Sequence, residues 1–464
     1  MARRSWVLLA MSLALLSINL DFTVVNLGLA DMQRDLGTSL SELQWVINGY
    51  TLALAGAVVV AGRLGDTFGR KRVYLAGLIT FTAAAIAAAL APSVGVLIAT
   101  RAVQGLGAAT VYTVSLAILG NAFPPEERGR ALGVWTAVAA LGLAAGPLVG
   151  GAVVETGSWR WIFVLLVPFA AASAVITAVK VRESRDEDAP RSLDLRGVIT
   201  STIALVAFAA LLIESGDWGL ISLRSAALAA IAVASAVVFV LVERRTKAPL
   251  LDLGLFRNPR FLGASVTSFV LAFVAWAALF FLPLDFETAR GYSTLTSGLL
   301  LLPCTVTWAL VSLAAGRVVA RAGTRLPMAA GIGLAAVGLA VLALHAPPIG
   351  VVLVALGVVG TGIGLSFAPM TKAALDAVPA AHAGMASGAL LMTRMIGATF
   401  GPAACGAAFR AAEESASGSV SSTFSTGLTA AMALAAGLAA VGACIVFVLG
   451  RKPSGDAVAA ASVP

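Results

Sequence analysis

The chain has 464 residues, of which 59% are hydrophobic and 12% charged, and its mean hydropathy is +0.96. Soluble domains carry about a quarter of their residues as charged side chains, so this composition excludes a water-soluble protein and predicts an integral membrane protein. The formal net charge is +8. Cys304, Cys405, Cys444 and the two histidines lack the spacing of a disulfide framework or a metal site, so no cofactor and no metal are expected.

The N-terminus resembles a signal peptide, because Arg3 and Arg4 precede an apolar run. No small-residue cleavage site follows, and the run continues through Asp21 and Asn26. We therefore expect an uncleaved first membrane helix.

Apolar runs of about 20 residues, each long enough to cross a bilayer, recur from end to end. Barrel strands would be about 10 residues long and would alternate, so helices are the remaining way to satisfy the backbone in lipid. We predict fourteen helical segments: 6–29, 42–61, 73–91, 94–119, 131–153, 161–179, 196–214, 223–242, 260–283, 296–315, 327–345, 349–369, 384–409 and 427–449.

The positive charges give this count an orientation, because Lys and Arg collect in cytoplasmic loops. With a cytoplasmic N-terminus, 24 of the 31 Lys and Arg fall on the cytoplasmic side. Five fall in outer loops, namely Arg34, Arg160, Arg224, Arg290 and Arg410, and two, Arg101 and Arg394, fall within segments. We therefore predict a multi-pass protein of the cytoplasmic membrane with both termini inside. The positive charge reflects this topology, and nucleic acid is not an expected partner.

The sequence contains an internal repeat. The stretch "GRLGDTFGRKR" at 62–72 aligns with "GRVVARAGTRL" at a shift of 254 residues, and "GRALGVWTAVAALGLAAGP" aligns with "GMASGALLMTRMIGATFGP" at a shift of 255. The matched pairs are Gly62–Gly316, Arg63–Arg317, Gly69–Gly323, Lys71–Arg325, Gly129–Gly384, Gly133–Gly388, Gly142–Gly397, Gly146–Gly401 and Pro147–Pro402.

The repeated motifs are eight segments apart, so two segments are inserted between two copies of six. We predict an all-α membrane protein with two parallel six-helix halves plus two inserted helices, an arrangement known in transporters. The predicted units are a first half at 1–182, a two-helix insert with linkers at 183–258, a second half at 259–450 and a flexible cytoplasmic tail at 451–464.

The glycine and charge pattern of 62–72, the helix 5 stretch "GLAAGP", and "LDFTVVNLGLADM", "QWVINGYTLALA", "RAVQGLGAAT" and "WRWIFVLLVPFA" resemble the major facilitator superfamily. They are similar in particular to its fourteen-helix drug:proton antiporters. The resemblance covers almost the whole chain. It implies export of lipophilic, cationic small molecules in exchange for protons, by alternating access.

Asp21 and Arg101 are the charges that we expect to carry proton coupling. Asp21 follows Trp6 by 15 residues, about 22 Å along a helix, so it lies at hydrocarbon depth, where acids usually face a cavity or a partner. The alternative is a structural hydrogen bond with Asn19 or Asn26. Arg101 must find acceptors, either an acid or backbone carbonyls, and Gln104 lies one turn on. The resemblance implies proton-coupling roles for both charges.

The substrate cavity is predicted to include Asp21, Asn26, Gln104, Phe269, Phe273 and Trp276. The three aromatics, with Phe280, recur at helical spacing on the ninth segment, although most membrane aromatics face lipid or the core. For Arg394, a functional role and packing or snorkelling remain equally open. Glu214 and Asp217 are interpreted as a solvated helix end.

Gly142, Gly146 and Pro147 combine a small-residue face with a proline that bends the helix. The resemblance implies that this motif marks exporters. For the loop at 62–72, we predict a conformational gate in which Asp66 pairs with an arginine or a helix N-terminus in one state; a turn-forming aspartate is the alternative. The gate residues are Gly62, Arg63, Gly65, Asp66, Gly69, Arg70, Lys71 and Arg72.

The predicted function is proton-coupled efflux of drugs or antibiotics by a monomer in the lipid bilayer. Two alternatives remain: a dedicated self-resistance exporter of one compound, and an importer or facilitator on the same fold. An enzyme is not predicted, because no nucleophile–base pair, ligand set or phosphate loop is present in the sequence.

Overall fold

A computed structural model describes residues 2–185, 194–219, 222–246, 253–378, 383–416 and 420–449. The predicted tail at 451–464 lies outside the described residues. The α-helices are α1 Ala2–Leu27, α2 Leu29–Leu36, α3 Leu40–Phe68, α4 Arg70–Ala89, α5 Val94–Ala122, α6 Pro125–Thr156, α7 Arg160–Lys180, α8 Leu195–Trp218, α9 Leu223–Arg245, α10 Pro259–Leu284, α11 Thr294–Ala322, α12 Arg325–Leu342, α13 Ile349–Asp376, α14 Ala383–Ser415 and α15 Val420–Leu449.

Fourteen of the described helices have 18 residues or more, and each corresponds to one predicted segment. The all-α membrane fold is therefore confirmed. The additional helix, α2, is a short amphipathic helix between the first two segments, so segments from the second onward carry a helix number one higher. A 3-10 turn at Leu253–Arg257 and a π-turn at Asp285–Ala289 flank α10.

Twelve helices are long and apolar enough to cross a membrane on their own, and α3 is a further span with a 50° bend between Val58 and Val60. The remaining long helix, α14, has 33 residues, but its glycines, threonines and Arg394 lower its hydropathy. Its length, about 50 Å at 1.5 Å per residue, still exceeds the hydrocarbon thickness.

The two halves have the same internal packing. In the first half α3 and α4 pack on α5, α1 packs on α6 and α7, and α4 packs on α7. In the second half α11 and α12 pack on α13, α10 packs on α14 and α15, and α12 packs on α15. Equivalent helices therefore have equivalent neighbours, as duplication requires.

The repeated loops are equivalent in atomic detail as well. Gly69 and Gly323, which the repeat aligns, both have positive φ, at 107° and 70°, a conformation that favours glycine. Lys71 Nζ donates to the Ala178 carbonyl at the end of α7, 2.7 Å away. Its counterpart Arg325 donates from Nε to the Phe447 carbonyl near the end of α15, also 2.7 Å away.

The insert lies beside the interface between the halves. The halves meet where α6 packs on α11 and α3 on α14, and α8 packs against both α3 and α14. Helix α9 packs on α8, and only 11% of its most apolar 18-residue stretch is buried within the protein. The boundaries proposed for the four units stay predictions.

Glycines allow the closest helix contacts, again at equivalent positions. A Cβ on Gly142 would lie 3.0 Å from the Leu16 carbonyl, and one on Gly146 would meet Thr23. In the second half, side chains on Gly397 and Gly401 would meet the carbonyls of Phe269 and Phe273 in α10. The small-residue face of the predicted antiporter motif is thus the α1–α6 contact.

The bundle has two ends, which we call the basic end and the far end. The basic end holds the N-terminus of α1 and the 62–72 loop, and the far end holds α2 and the C-terminus of α14. Across the far end, Gln44 Nε2 donates to the Pro402 carbonyl at 2.7 Å, and the Leu295 amide donates to Glu155 at 3.2 Å. The far end is therefore closed by contacts between the halves.

Replacing Gly397 by Ala should lower the free energy of unfolding by about 1–3 kcal/mol, because the new methyl group meets the α10 backbone. Gly388→Ala on the same helix is the matched control, since its methyl group would enter open space. That change should be neutral or stabilising by up to ~1 kcal/mol. Thermal unfolding in detergent compares the two, and equal effects would contradict the packing argument.

Candidate functional site

The centre of the first half contains a buried ion pair between α1 and α5. Arg101 Nη1 donates to both carboxylate oxygens of Asp21, at 2.7 and 2.8 Å. The side chains are 0% and 2% exposed for Asp21 and Arg101. The two residues predicted to carry proton coupling are therefore direct partners.

Arg101 makes further contacts in addition to the ion pair with Asp21. Its Nη1 also donates to Gln104 Oε1 at 2.7 Å, and its Nε donates to the Val46 carbonyl of α3 at 3.3 Å. The guanidinium carbon lies 4.3 Å from the centre of the Tyr50 ring and 5.7 Å from that of Phe163. Four helices, α1, α3, α5 and α7, thus surround one cation.

This arrangement makes the charge of the interior depend on one proton. A guanidinium stays protonated, whereas a carboxyl group can take up a proton. If Asp21 binds a proton, the pair loses its negative member and Arg101 becomes a buried unpaired cation, which is expensive. Proton uptake at Asp21 would therefore favour a rearrangement of the helices around Arg101.

The other predicted cavity residues lie nearby but in different environments. Asn26 Nδ2 donates to the Phe22 carbonyl of its own helix at 2.9 Å. Trp276 meets Phe22 edge to face, with ring centroids 5.6 Å apart, so this pair joins the two halves. The rings of Phe269 and Phe273 are 6.0 Å apart on the side of α10 that faces α14. Contact with substrate stays a prediction for all four.

The predicted loop at 62–72 is helical except for Gly69, because α3 continues to Phe68 and α4 begins at Arg70. Asp66 of α3 pairs with Arg70 of α4, with Oδ1 2.9 Å from Nε and 2.8 Å from Nη2. A Cβ on Gly62 would lie 3.1 Å from Thr113, and one on Gly65 3.0 Å from Val114. The glycines thus allow α3 to approach α5. The switching role of Asp66 stays a prediction.

Glu183 contacts this segment, and its role could not be predicted from the sequence. Its carboxylate accepts from the Lys71 amide at 2.9 Å and the Arg72 amide at 3.2 Å, so it caps the N-terminus of α4. A side chain on Gly69 would collide with this carboxylate. The helix that begins after Gly69 needs a cap for its first amides, which is a signal in the sequence for a capping residue. The sequence does not identify Glu183 as that residue, because 112 residues separate it from Lys71.

Two interpretations at the far end need correction. Arg410 was expected in an outer loop, yet α14 continues to Ser415 and Arg410 is buried. Its guanidinium donates to Ser41 and Gln44 of α3 at 3.2 Å, and to the Ile213 carbonyl of α8. Glu214 was interpreted as a solvated helix end, but it accepts from Trp45 Nε1 at 2.7 Å. The side chain of Asp217 lies outside the described residues.

Two equivalent halves of six long helices each, two further long helices and a buried ion pair at the centre of the first half are the architecture of a membrane transporter. The sequence matches the Major Facilitator Superfamily over residues 9–402, and the chain belongs to that family. This family consists of transporters, so the protein is not an enzyme.

The relatives of the chain are drug-resistance proteins. It is 38% identical over 407 residues to the multidrug resistance protein Stp of Mycobacterium tuberculosis, covering 87% of this chain and 75% of that protein. It is 33% identical to the tetracenomycin C resistance and export protein of Streptomyces glaucescens, covering 87% and 76%.

Solved transporter structures share the fold. A bacterial homologue of the human lysosomal transporter Spinster in an inward-facing conformation has a TM-score of 0.71, with 16% identity and 98% of each chain covered. A D-xylose–proton symporter has a TM-score of 0.69, with 16% identity and coverage of 96% and 98%.

The ion pair predicts unequal effects of its two single substitutions. Asp21→Leu should lower the free energy of unfolding by about 3–5 kcal/mol, because it leaves a cation that cannot be neutralised. Arg101→Met should cost less, because Asp21 can then bind a proton. Thermal unfolding measures both. The double variant should recover much of the Asp21→Leu loss, and simple additivity would show that the residues are not coupled.

Proposed function

We propose that this protein exports lipophilic small molecules, drugs or antibiotics among them, in exchange for protons. The observation that carries the proposal is the buried Asp21–Arg101 pair, which contains an acid able to exchange a proton next to a cation that cannot lose its own. The names of the relatives support export. The motif Gly142, Gly146 and Pro147 on α6 supports the same direction through its resemblance to antiporters.

In the proposed cycle, proton binding at Asp21 and substrate occupancy compete. The hydrogen bonds that join the halves from Gln44 to Pro402 and from Leu295 to Glu155 lie at the far end and close that side of the bundle. We therefore infer a state open at the basic end. With the basic end cytoplasmic, as the positive charges predict, this state would load substrate from inside the cell. Opening the far end would then release it outside.

The loop at 62–72 is proposed to control this exchange. The Asp66–Arg70 pair is one arrangement of the carboxylate, and release of Arg70 would free Asp66 for a partner in the other state. The aligned residue in the second half is Ala320, so only the first copy can make such a contact. This asymmetry supports a switching role.

Two substrate ranges fit the proposal: many different compounds, or one cognate compound. A protein confined to the cytoplasmic membrane and working as a monomer fits the proposal, because the two halves that would move against each other belong to one chain. The resemblance predicts cationic substrates. However, Arg394 adds a positive charge to an interior in which Asp21 and Arg101 already balance.

Asp21→Asn should reduce proton-coupled efflux at least about tenfold, because an amide keeps the shape of the carboxyl group but cannot carry a proton. Proteoliposomes with an imposed pH gradient and a fluorescent drug panel measure efflux and internal pH together. Asn19→Ala on the same helix tests whether any polar change has this effect, because Asn19 donates to the Leu15 carbonyl of its own helix. Full efflux with normal pH dependence in Asp21→Asn would refute the coupling role.

Asp66→Asn should slow transport about threefold to tenfold, since charge contacts of this type contribute roughly 1 kcal/mol. Asp376→Asn is the control, because Asp376 also pairs with a cation four residues away, Lys372, at 2.7 Å. Transport rate and the reaction of single cysteines near the basic end with a thiol reagent report the effect. Equal behaviour of the two variants would favour a simple turn role for Asp66.

A further inference from the structure

The interior of the bundle contains a second arginine whose partners are aromatic. Arg394 of α14 is partly exposed, and its guanidinium carbon lies 4.5 Å from the centre of the Phe367 ring. Tyr112 of α5, in the other half, lies at the same depth from the basic end. Within the described part of the chain, no carboxylate forms an ion pair with Arg394.

Arg394 and three aromatic residues come from four helices at one depth. Tyr112 lies 10 residues before the basic end of α5, Phe367 9 before that of α13, and Arg394 11 after that of α14. Trp135, 10 residues into α6, packs against Tyr112 with ring centroids 5.6 Å apart. At 1.5 Å per residue, all four lie about 15 Å from the basic end. We name Arg394, Phe367, Tyr112 and Trp135 the Arg394 cluster.

The Arg394 cluster offers donors without matching acceptors. Trp135 is 5% exposed, and its indole N–H has no hydrogen-bond partner among the described residues. Buried donors normally have acceptors, and a charge at membrane depth normally has a partner. A ligand carrying an anionic group and a flat ring would supply both the missing acceptor and the missing negative charge, while its ring could stack on the aromatics.

The cluster is distinct from the proton site. Thr51 of α3 and Thr399 of α14 are hydrogen-bonded, with oxygens 2.9 Å apart, so they lie at the same depth. Arg394 precedes Thr399 by 5 residues toward the basic end, and Val46, which binds Arg101, precedes Thr51 by 5 residues toward the far end. The two arginines are thus separated by about 15 Å along the bundle. A ligand at Arg394 need not displace Asp21.

We propose that the Arg394 cluster binds the acidic group of an aromatic substrate, so that this exporter handles lipophilic aromatic acids. The inference rests on the proposed export function and differs from the cations that the resemblance predicts. The reason is charge: the Asp21–Arg101 pair is neutral overall, whereas no carboxylate among the described residues forms an ion pair with Arg394. A guanidinium without a carboxylate partner repels cations and attracts anions.

Binding to the purified protein in lipid nanodiscs tests the proposal. The probes are aromatic carboxylic acids, each paired with its own methyl ester, including a carboxyl-bearing rhodamine. The native protein should bind the acids about tenfold more tightly than the esters, because a charge-assisted hydrogen bond to the Arg394 guanidinium is lost in the ester. Arg394→Gln should abolish this preference, and Arg394→Lys should keep most of it.

Two further variants separate charge from structure. Arg321→Gln removes an exposed cation from the end of α11 and should leave the preference unchanged. Trp135→Phe should weaken acid binding severalfold with little effect on the esters, since only the N–H donor is lost. Thermal unfolding of each variant confirms that the protein is folded.

The proposal is overturned if the native protein binds no acid of the panel, binds the esters as tightly as the acids, or keeps its preference in Arg394→Gln. The export function is tested separately by efflux and internal pH in proteoliposomes. Acid-selective binding without proton-driven efflux would contradict export but support the Arg394 cluster. Proton-driven efflux of the esters alone would support export but contradict the Arg394 cluster as a site for acids.

Discussion

A guanidinium in the middle of a membrane protein has to be matched by acceptors, and this constraint organises the first half of the protein. Arg101 cannot be neutralised, so α1 must present a carboxylate, α5 must present Gln104, and α3 must turn a backbone carbonyl toward it. Tyr50 and Phe163 cover its faces. Helices that must meet at one cation can move only as a unit, unless the cation loses a partner. Proton uptake by Asp21 is the simplest event that removes one.

The second half has the same architecture without this charge. At the repeat shifts of 254 and 255, the position of Arg101 corresponds to Ala355 or Leu356, which are buried and apolar. The glycine contacts, the positive-φ loops and the cationic contacts to the last helix are retained in both halves. Duplication has therefore preserved the features that hold helices together. The buried Asp21–Arg101 pair belongs to the first copy alone, which gives a symmetric scaffold an asymmetric response.

Much of this fold could be predicted from the sequence because its determinants are local. Hydropathy, positive charges and repeated glycines act over one helix or one loop, and they predict fourteen helices and the duplication. Asp21 and Arg101 could be singled out because charge is costly in lipid. Helix α2 could not be found by hydropathy, since it has only 8 residues and is amphipathic. The contacts of Glu183 and Arg410 were missed because their partners lie more than a hundred residues away and depend on helix packing.

The far-end contacts of Arg410 give the inserted helices a physical role. This side chain belongs to the second half, yet it bonds to Ser41 and Gln44 of the first half and to the end of α8. Trp45 binds Glu214 of α8 from the other side. When α3 and α14 separate at the far end, α8 cannot keep both sets of bonds. The insert therefore adds to the free energy required for opening, and it covers the groove along which the two halves would otherwise contact lipid.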